Sequence, residues 1–195
     1  MWIDHDKKLV FVAVPKCGST SMIGALGFKF QGEAPRIYHA SIEMILNEHP
    51  ECTDYESVGF IRNPWDRVVS VFLDGVQSEG HQGAWSKDLL KFKNFEDFIM
   101  SFENTKWLNW VHFLPCSKFL TVDDKVVVNH IGRYENIVED FNTITTKIIG
   151  SPVVLNQHHN KTNRSVDYRA YYNDKTKEII GRVYEKDIEL FNYEF

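Results

Sequence analysis

Residues that can bind an anion cluster in the segment Val14–Ser21 (V-P-K-C-G-S-T-S), which follows the apolar run Leu9–Val14. The apolar run is short, continuous and rich in β-branched residues, which predicts a buried strand. A helix is expected from about Thr20, so that backbone N–H groups and the positive end of a helix would face one point. Gly18 permits close approach of the backbone, and Lys16 supplies a positive charge. We therefore predict a phosphate-binding loop made of Pro15, Lys16, Cys17, Gly18, Ser19, Thr20 and Ser21.

The predicted loop differs from the Walker A motif, in which lysine follows the second glycine. Here Lys16 precedes Gly18. An ordinary strand-to-helix turn with a Ser or Thr cap is the alternative interpretation of these eight residues.

A second strand-to-helix junction carries another candidate anion-binding pair. The run Tyr55–Ile61 predicts a buried strand, Arg62 follows it, and Asn63 with Pro64 is typical of a helix start. Ser70 lies two turns along that helix. Ligands of open α/β sheets bind outside the carboxyl ends of strands, so both motifs are expected to face one crevice. The alternative is that Arg62 pairs with a surface carboxylate and that Ser70 is solvated.

The remaining patterns give the order of elements. The helix after Asn63 has an apolar stripe and a polar face that carries Asp66, Arg67, Ser70 and Asp74. Further expectations are a long loop over Gln77–Asn94, a helix over Phe95–Phe102, a hairpin turning at Asp123-Asp124, a helix over Asn136–Ile149 that ends at Gly150, and mostly helix over Tyr168–Phe191. The order strand, loop, helix, strand, helix in the first half of the chain predicts an α/β fold with parallel strands. We expect a single domain over residues 1–195.

Composition limits the classes of function. The chain has 195 residues, 43% of them hydrophobic, which is enough for one large core. A net charge of −5 disfavours nucleic acid or an anionic membrane as a partner, so any anion site must be local. Three cysteines without a C-x-x-C pair, and charged residues over Met1–Lys8 in place of an apolar leader, favour a cytoplasmic protein without a membrane span.

The two motifs, Pro15–Ser21 and Ile61–Ser70, together resemble the nucleotide-binding motifs of the sulfotransferases, especially those that modify carbohydrates. The similarity continues in Ile131–Phe141, in Asn160–Arg164, and in the closing pair Tyr171–Asp174 and Tyr184–Phe195, and thus spans nearly the whole chain in the right order. It implies a P-loop-like three-layer fold, with a central, mainly parallel sheet flanked by helices.

The resemblance also implies a donor and residues that bind it. The donor would be 3′-phosphoadenosine-5′-phosphosulfate, used without a metal. Pro15–Ser21 would hold its 5′-phosphosulfate, with Lys16 near the bridging oxygen. Arg62 and Ser70 would hold its 3′-phosphate. Asn63 stands where aspartate is more usual in the family, but both residues cap helices well.

Transfer to a hydroxyl requires a base, and His39 is the candidate we favour. It lies where a short strand is expected to give way to a helix, and an unperturbed pKa of about 6.5 suits proton uptake near neutrality. Related carbohydrate sulfotransferases often carry a Tyr-His segment or a glutamate in this region. The alternatives are a structural His39 and, as rival bases, Glu43 and His112.

Three basic residues and two tryptophans have ambiguous roles. Arg133 could contact the nucleotide or pair with Glu135 or Asp140, while Lys161 and Arg164 could close over the 3′-phosphate, bind an acidic acceptor or be solvated. Trp107 and Trp110 are expected in the core rather than in a platform for stacking sugars.

Two other classes of function compete with sulfuryl transfer. A P-loop kinase needs a magnesium-binding Ser or Thr after the loop lysine and an acidic residue at a strand end. Here Cys17 follows Lys16, and Arg62 follows the second strand. A non-catalytic module that binds anions is the third candidate.

Overall fold

The structure, a computed structural model, describes residues 1–28, 38–77, 84–102, 106–155, 164 and 166–195. The strands are β1 (Ile3–Asp4), β2 (Leu9–Val12), β3 (Glu56–Ile61), β4 (Thr121–Val122), β5 (Lys125–Val126) and β6 (His130–Arg133). The helices are α1 (Ser19–Leu26), α2 (Ile42–Glu48), α3 (Pro64–Gln77), α4 (Ala84–Leu89), α5 (Phe95–Met100), α6 (Ser117–Leu120), α7 (Ile137–Ile149), α8 (Asp174–Val183) and α9 (Glu185–Phe191).

The chain packs as two compact units. The first comprises Met1–Arg62 and Cys116–Asn160, and the second comprises Asn63–Pro115 and Lys161–Phe195. The prediction of a single domain stays a prediction.

The first unit is built on a mainly parallel sheet of order β1-β2-β3-β6. β2, β3 and β6 run parallel, and β1 pairs antiparallel with β2. β2 is buried along its whole length, as its continuous apolar sequence predicts. At Gly132 an added Cβ would lie 2.3 Å from Cε1 of Phe60, so β6 needs a residue without a side chain there. The predicted α/β fold, with a parallel-dominated central sheet flanked by helices, is confirmed.

Two further predictions for the first unit are confirmed. Asp123 and Asp124 form a two-residue turn with positive φ between β4 and β5, as hairpins of this length prefer. α7 ends at Gly150, which has a φ of 83°.

The second unit is organised around aromatic side chains from α3, α5 and the segments that follow them. Phe72 stacks on Phe98 with 5.3 Å between ring centroids, and Phe98 also contacts Phe113 and Trp107. Trp107 is buried in this cluster with Trp110 packed against it, as expected for core tryptophans.

The predicted polar face of α3 is largely buried, and Ser70 on it is only 2% exposed, which argues against the alternative of a solvated Ser70. Arg67 is only 1% exposed, and its guanidinium donates hydrogen bonds to the carbonyl oxygens of His112 (3.2 Å) and Leu114 (2.7 Å). Asp66 is also buried and lies 2.5 Å from Arg164. These polar groups serve internal contacts of the second unit.

The prediction of a long loop over Gln77–Asn94 was wrong for residues 84–89, which are helical, whereas residues 90–94 are turns and bends. α4 lies within this stretch and Leu89 at its end is fully buried, so burial of an apolar side chain decided the local structure. Residues 78–83 lie outside the described residues.

Replacing Tyr184 by Phe should destabilise the protein. Tyr184 is fully buried and its hydroxyl donates to the carbonyl oxygen of Phe113 at 2.6 Å, so the substitution leaves a buried acceptor unsatisfied. We expect the free energy of unfolding to fall by about 1–3 kcal/mol in urea denaturation. Tyr55→Phe is the control, because the contact of Tyr55 with His5 is exposed. Equal losses in both variants would contradict a special role for the buried bond.

Candidate functional site

The predicted phosphate loop connects β2 to α1 in the first unit. Lys16 has a φ of 62° and Gly18 a φ of 80°, so the loop contains two left-handed residues separated by Cys17. Backbone turns of this kind form concavities of N–H groups that bind anions. α1 begins at Ser19 and has no acidic residue in its first turn, so no carboxylate there offsets its positive end. Strand, loop and helix start are as predicted.

Gly18 is required at its position for two reasons. Its left-handed conformation favours glycine, and an added Cβ would lie 2.5 Å from Cδ1 of Ile137 and 3.4 Å from Cδ2 of Tyr134. Gly18 in the phosphate loop therefore packs closely against the start of α7 and the 3₁₀ turn Tyr134–Asn136 before it.

Arg62 lies directly against this loop. Its side chain is 4% exposed, Nη1 donates a hydrogen bond to the carbonyl oxygen of Lys16 at 3.0 Å, and its guanidinium carbon lies 3.9 Å from the centroid of the Tyr134 ring. The cation is thus placed by a backbone acceptor and by the face of an aromatic ring. The structure brings Arg62 and Lys16 together, as expected for adjacent strand ends.

Sequence reasoning missed the part that Tyr134 and Ile137 play in the loop. Both belong to the segment Ile131–Phe141, which was noted only as part of the family resemblance. A β-rich run followed by an aromatic residue was the available signal, but nothing in the spacing shows which distant glycine or arginine that residue contacts.

The side chains of the loop differ in exposure. Cys17 is buried, with Sγ 3.5 Å from the carbonyl oxygen of Pro15, so its thiol faces the interior. Ser19 and Ser21 are buried, whereas Thr20 is exposed. Thr20 is therefore the most exposed residue of this segment, with Lys16 and Gly18 half-buried, and the binding roles of the individual residues stay predictions.

His39 is held at the carboxyl end of β2. Its Nδ1 lies 2.6 Å from the carbonyl oxygen of Ala13, an acceptor only, so Nδ1 carries the proton and Nε2 is the basic nitrogen. Burial lowers the pKa of His39 below 6.5, outweighing the hydrogen bond to Ala13, which acts to raise it. The imidazole is therefore neutral at pH 7, and the residue that holds it, Ala13, lies two residues before the phosphate loop begins.

The surroundings of His39 differ in one respect from the expectation. Tyr38 and His39 lie in a bend that leads to α2, which Ser41 caps by accepting a hydrogen bond from the N–H of Met44. The predicted strand does not reach His39 in the described residues, and residues 29–37 lie outside them. The bend instead serves to bring the imidazole to the Ala13 carbonyl.

The rival bases have different positions. Glu43 is exposed in the first turn of α2. His112 belongs to the second unit, where its backbone carbonyl accepts a hydrogen bond from Arg67.

The other predicted binding residues are placed as follows. Ser70 is 2% exposed on α3 in the second unit, and its role in binding the 3′-phosphate stays a prediction. Arg133 ends β6 opposite Ile61, and its backbone N–H donates to Asp140 at 2.6 Å. Arg164 pairs with Asp66, which explains why it is only partly exposed. Lys161 lies outside the described residues.

The described residues carry neither a candidate metal-binding cluster nor a membrane-spanning helix. Within these ranges no group of three or more His, Cys, Asp and Glu side chains is placed to hold a metal ion. No helix in the part of the chain that the structure describes has the length and apolar character needed to cross a membrane.

Replacing Gly18 by Ala should strain the phosphate loop. The new methyl would adopt an unfavourable backbone conformation and collide with Ile137. We expect the free energy of unfolding to fall by about 2–4 kcal/mol, measured by chemical denaturation. Gly24→Ala in α1 is the matched control, because a Cβ there meets no described atom within 4 Å and alanine favours helix. A Gly18→Ala variant as stable as Gly24→Ala would contradict the predicted strain.

Comparison with known proteins gives one result for the whole chain. No curated protein and no solved structure matches it significantly. The model of the sulfotransferase family matches residues 1–194, which includes the phosphate loop, His39, Arg62 and the segment around Tyr134. The chain therefore belongs to the sulfotransferase family.

Proposed function

We propose that this sulfotransferase moves a sulfuryl group from 3′-phosphoadenosine-5′-phosphosulfate to a hydroxyl, with a carbohydrate as the acceptor. Family membership supports sulfuryl transfer in general. The observation that carries the proposal is that β2 leads into the predicted phosphate loop while Ala13, directly after β2, holds the His39 imidazole through its carbonyl oxygen.

The loop fits the anionic end of such a donor. Its left-handed residues, the start of α1 and the Lys16 ammonium provide hydrogen-bond donors and positive charge without a metal ion. Arg62 holds the carbonyl of Lys16, so the loop keeps its shape before any ligand arrives. The donor supplies the activated sulfuryl group, and Lys16 with the loop amides stabilises negative charge on the phosphate that leaves.

His39 is the base of this proposal. With the proton on Nδ1, Nε2 is the nitrogen that takes the acceptor's proton during in-line attack. The lowered pKa keeps this nitrogen unprotonated at neutral pH, and the bond to Ala13 stabilises the imidazolium that forms.

The carbohydrate acceptor rests on the form of the nucleotide motifs and on the Tyr38-His39 pair. A tyrosine, a lipid or a small metabolite would be the alternative acceptors. The cytoplasmic setting likewise stays a prediction, consistent with three free cysteines that are all buried.

A kinase-like phosphotransferase is the second candidate, and the loop chemistry disfavours it. The residue after Lys16 is a buried cysteine in place of a magnesium-binding hydroxyl, and β3 is followed by Arg62 in place of an aspartate. A non-catalytic anion-binding module would keep the loop but not need His39.

Binding of 3′-phosphoadenosine-5′-phosphate should raise the melting temperature. At a concentration a hundredfold above its Kd, a ligand adds about 2.7 kcal/mol, or roughly 5–10 °C for a domain of this size. AMP should give a smaller shift, and Lys16→Ala should reduce the shift by the 3′-phosphorylated nucleotide. Stabilisation by ADP with magnesium alone would favour the kinase-like function and contradict the proposal.

Activity should depend on His39 with a recognisable pH profile. The folded-state pKa is lowered, so Nε2 becomes protonated only below 6.5, and kcat/KM should fall on the acid side of that pH. In His39→Gln, sulfuryl transfer should drop by about 10²- to 10⁴-fold and the acid limb should disappear. Glu43→Gln and His112→Gln test the rival bases, and loss of the acid limb in one of them with its retention in His39→Gln would identify another base.

A further inference from the structure

Tyr38 contacts both His39 and the phosphate loop. Its ring lies 4.7 Å from the His39 ring between centroids, at an interplanar angle of 66°. Its hydroxyl lies 3.3 Å from Oγ1 of Thr20 in the first turn of α1. All of these residues belong to the first unit.

Trp2 in turn fixes Tyr38. The indole Nε1 donates a hydrogen bond to the backbone carbonyl of Tyr38 at 3.1 Å, and the two rings pack edge to face with 5.0 Å between centroids. The backbone carbonyl of Trp2 accepts from the N–H of Phe11 in β2 at 2.9 Å. Tyr38 is thereby tied to the same strand that leads into the phosphate loop.

These contacts add to the constraint that the hydrogen bond to Ala13 places on the imidazole. The ring turns about the Cα–Cβ and Cβ–Cγ bonds of His39, and such a turn moves Nδ1 away from the carbonyl oxygen of Ala13. A neighbouring aromatic ring in edge-to-face contact restricts this rotation and so determines where Nε2 points. A base that is misplaced by about 1 Å can lose 10²-fold in rate, so the restriction matters for transfer.

The hydroxyl of Tyr38 contributes less than its ring. The distance of 3.3 Å to Thr20 is long for an O–H···O hydrogen bond, and the pair is exposed to water. Packing of the Tyr38 ring against His39 is therefore the contact through which Tyr38 acts on the imidazole, and the Trp2 hydrogen bond holds Tyr38 in place.

We propose that Tyr38 is a positioning residue of the reaction, which sets the plane of the His39 imidazole while Trp2 holds Tyr38 in place. This inference rests on the proposed function for its consequence in catalysis, but not for the orientation of His39 itself.

The test measures the tautomer of His39 by ¹⁵N NMR of the imidazole, without nucleotide, in the whole protein. Wild type and Tyr38→Phe should both show the proton on Nδ1, because the ring is retained. Tyr38→Leu should show a mixture of tautomers, because the imidazole turns away from Ala13. Retention of the pure Nδ1–H tautomer in a folded Tyr38→Leu would overturn the inference.

The second measurement is the sulfuryl-transfer activity of the same variants. Tyr38→Leu should lower kcat by about tenfold to a hundredfold with little change in the KM of the donor, whereas Tyr38→Phe stays close to wild type. Unchanged kcat in Tyr38→Leu would also overturn the positioning role. If Tyr38→Leu does not fold, Trp2→Phe, which keeps an aromatic ring but loses the Nε1 donor, is judged by the same tautomer criterion. Absence of any transfer in wild type would refute the proposed function, and the NMR result would still decide the orientation of His39.

Discussion

The hydrogen bond from Arg62 to the carbonyl oxygen of Lys16 is the interaction on which the candidate site depends. Lys16 adopts a left-handed conformation that costs a non-glycine residue energy, so something must hold it there. A charged donor bonded to its carbonyl offsets this cost, and the Tyr134 ring keeps the donor in place. The form of the loop is thus built into the first unit by the side chain that follows β3 and by one from the turn before α7.

Much of this fold could be predicted because local sequence and final structure agree. β2 and β3 are continuous apolar runs, Asn63 accepts hydrogen bonds from the N–H groups at the start of α3, and Gly150 ends α7 with positive φ. In each case the signal lies within a few residues of the feature that it predicts.

The errors have a common physical origin in long-range packing. The amphipathic pattern of α3 predicts a polar face but not what that face contacts, because Arg67 finds carbonyl acceptors in a segment far along the chain. α4 was missed because Leu89 is buried in a cluster whose members come from several segments of the second unit. The same limit hid Tyr134 and Ile137, whose contacts with Arg62 and Gly18 exist only after the sheet has formed.

The distribution of tryptophans gives the two units different optical properties. Of the five tryptophans in the chain, Trp2 belongs to the first unit and Trp65, Trp85, Trp107 and Trp110 belong to the second. Intrinsic fluorescence of the whole protein will therefore be dominated by the second unit. Within the first unit Trp2 is the only tryptophan of the sequence, and its indole N–H is bonded to Tyr38, whose ring contacts His39. The emission of this one indole therefore reports on the surroundings of Tyr38.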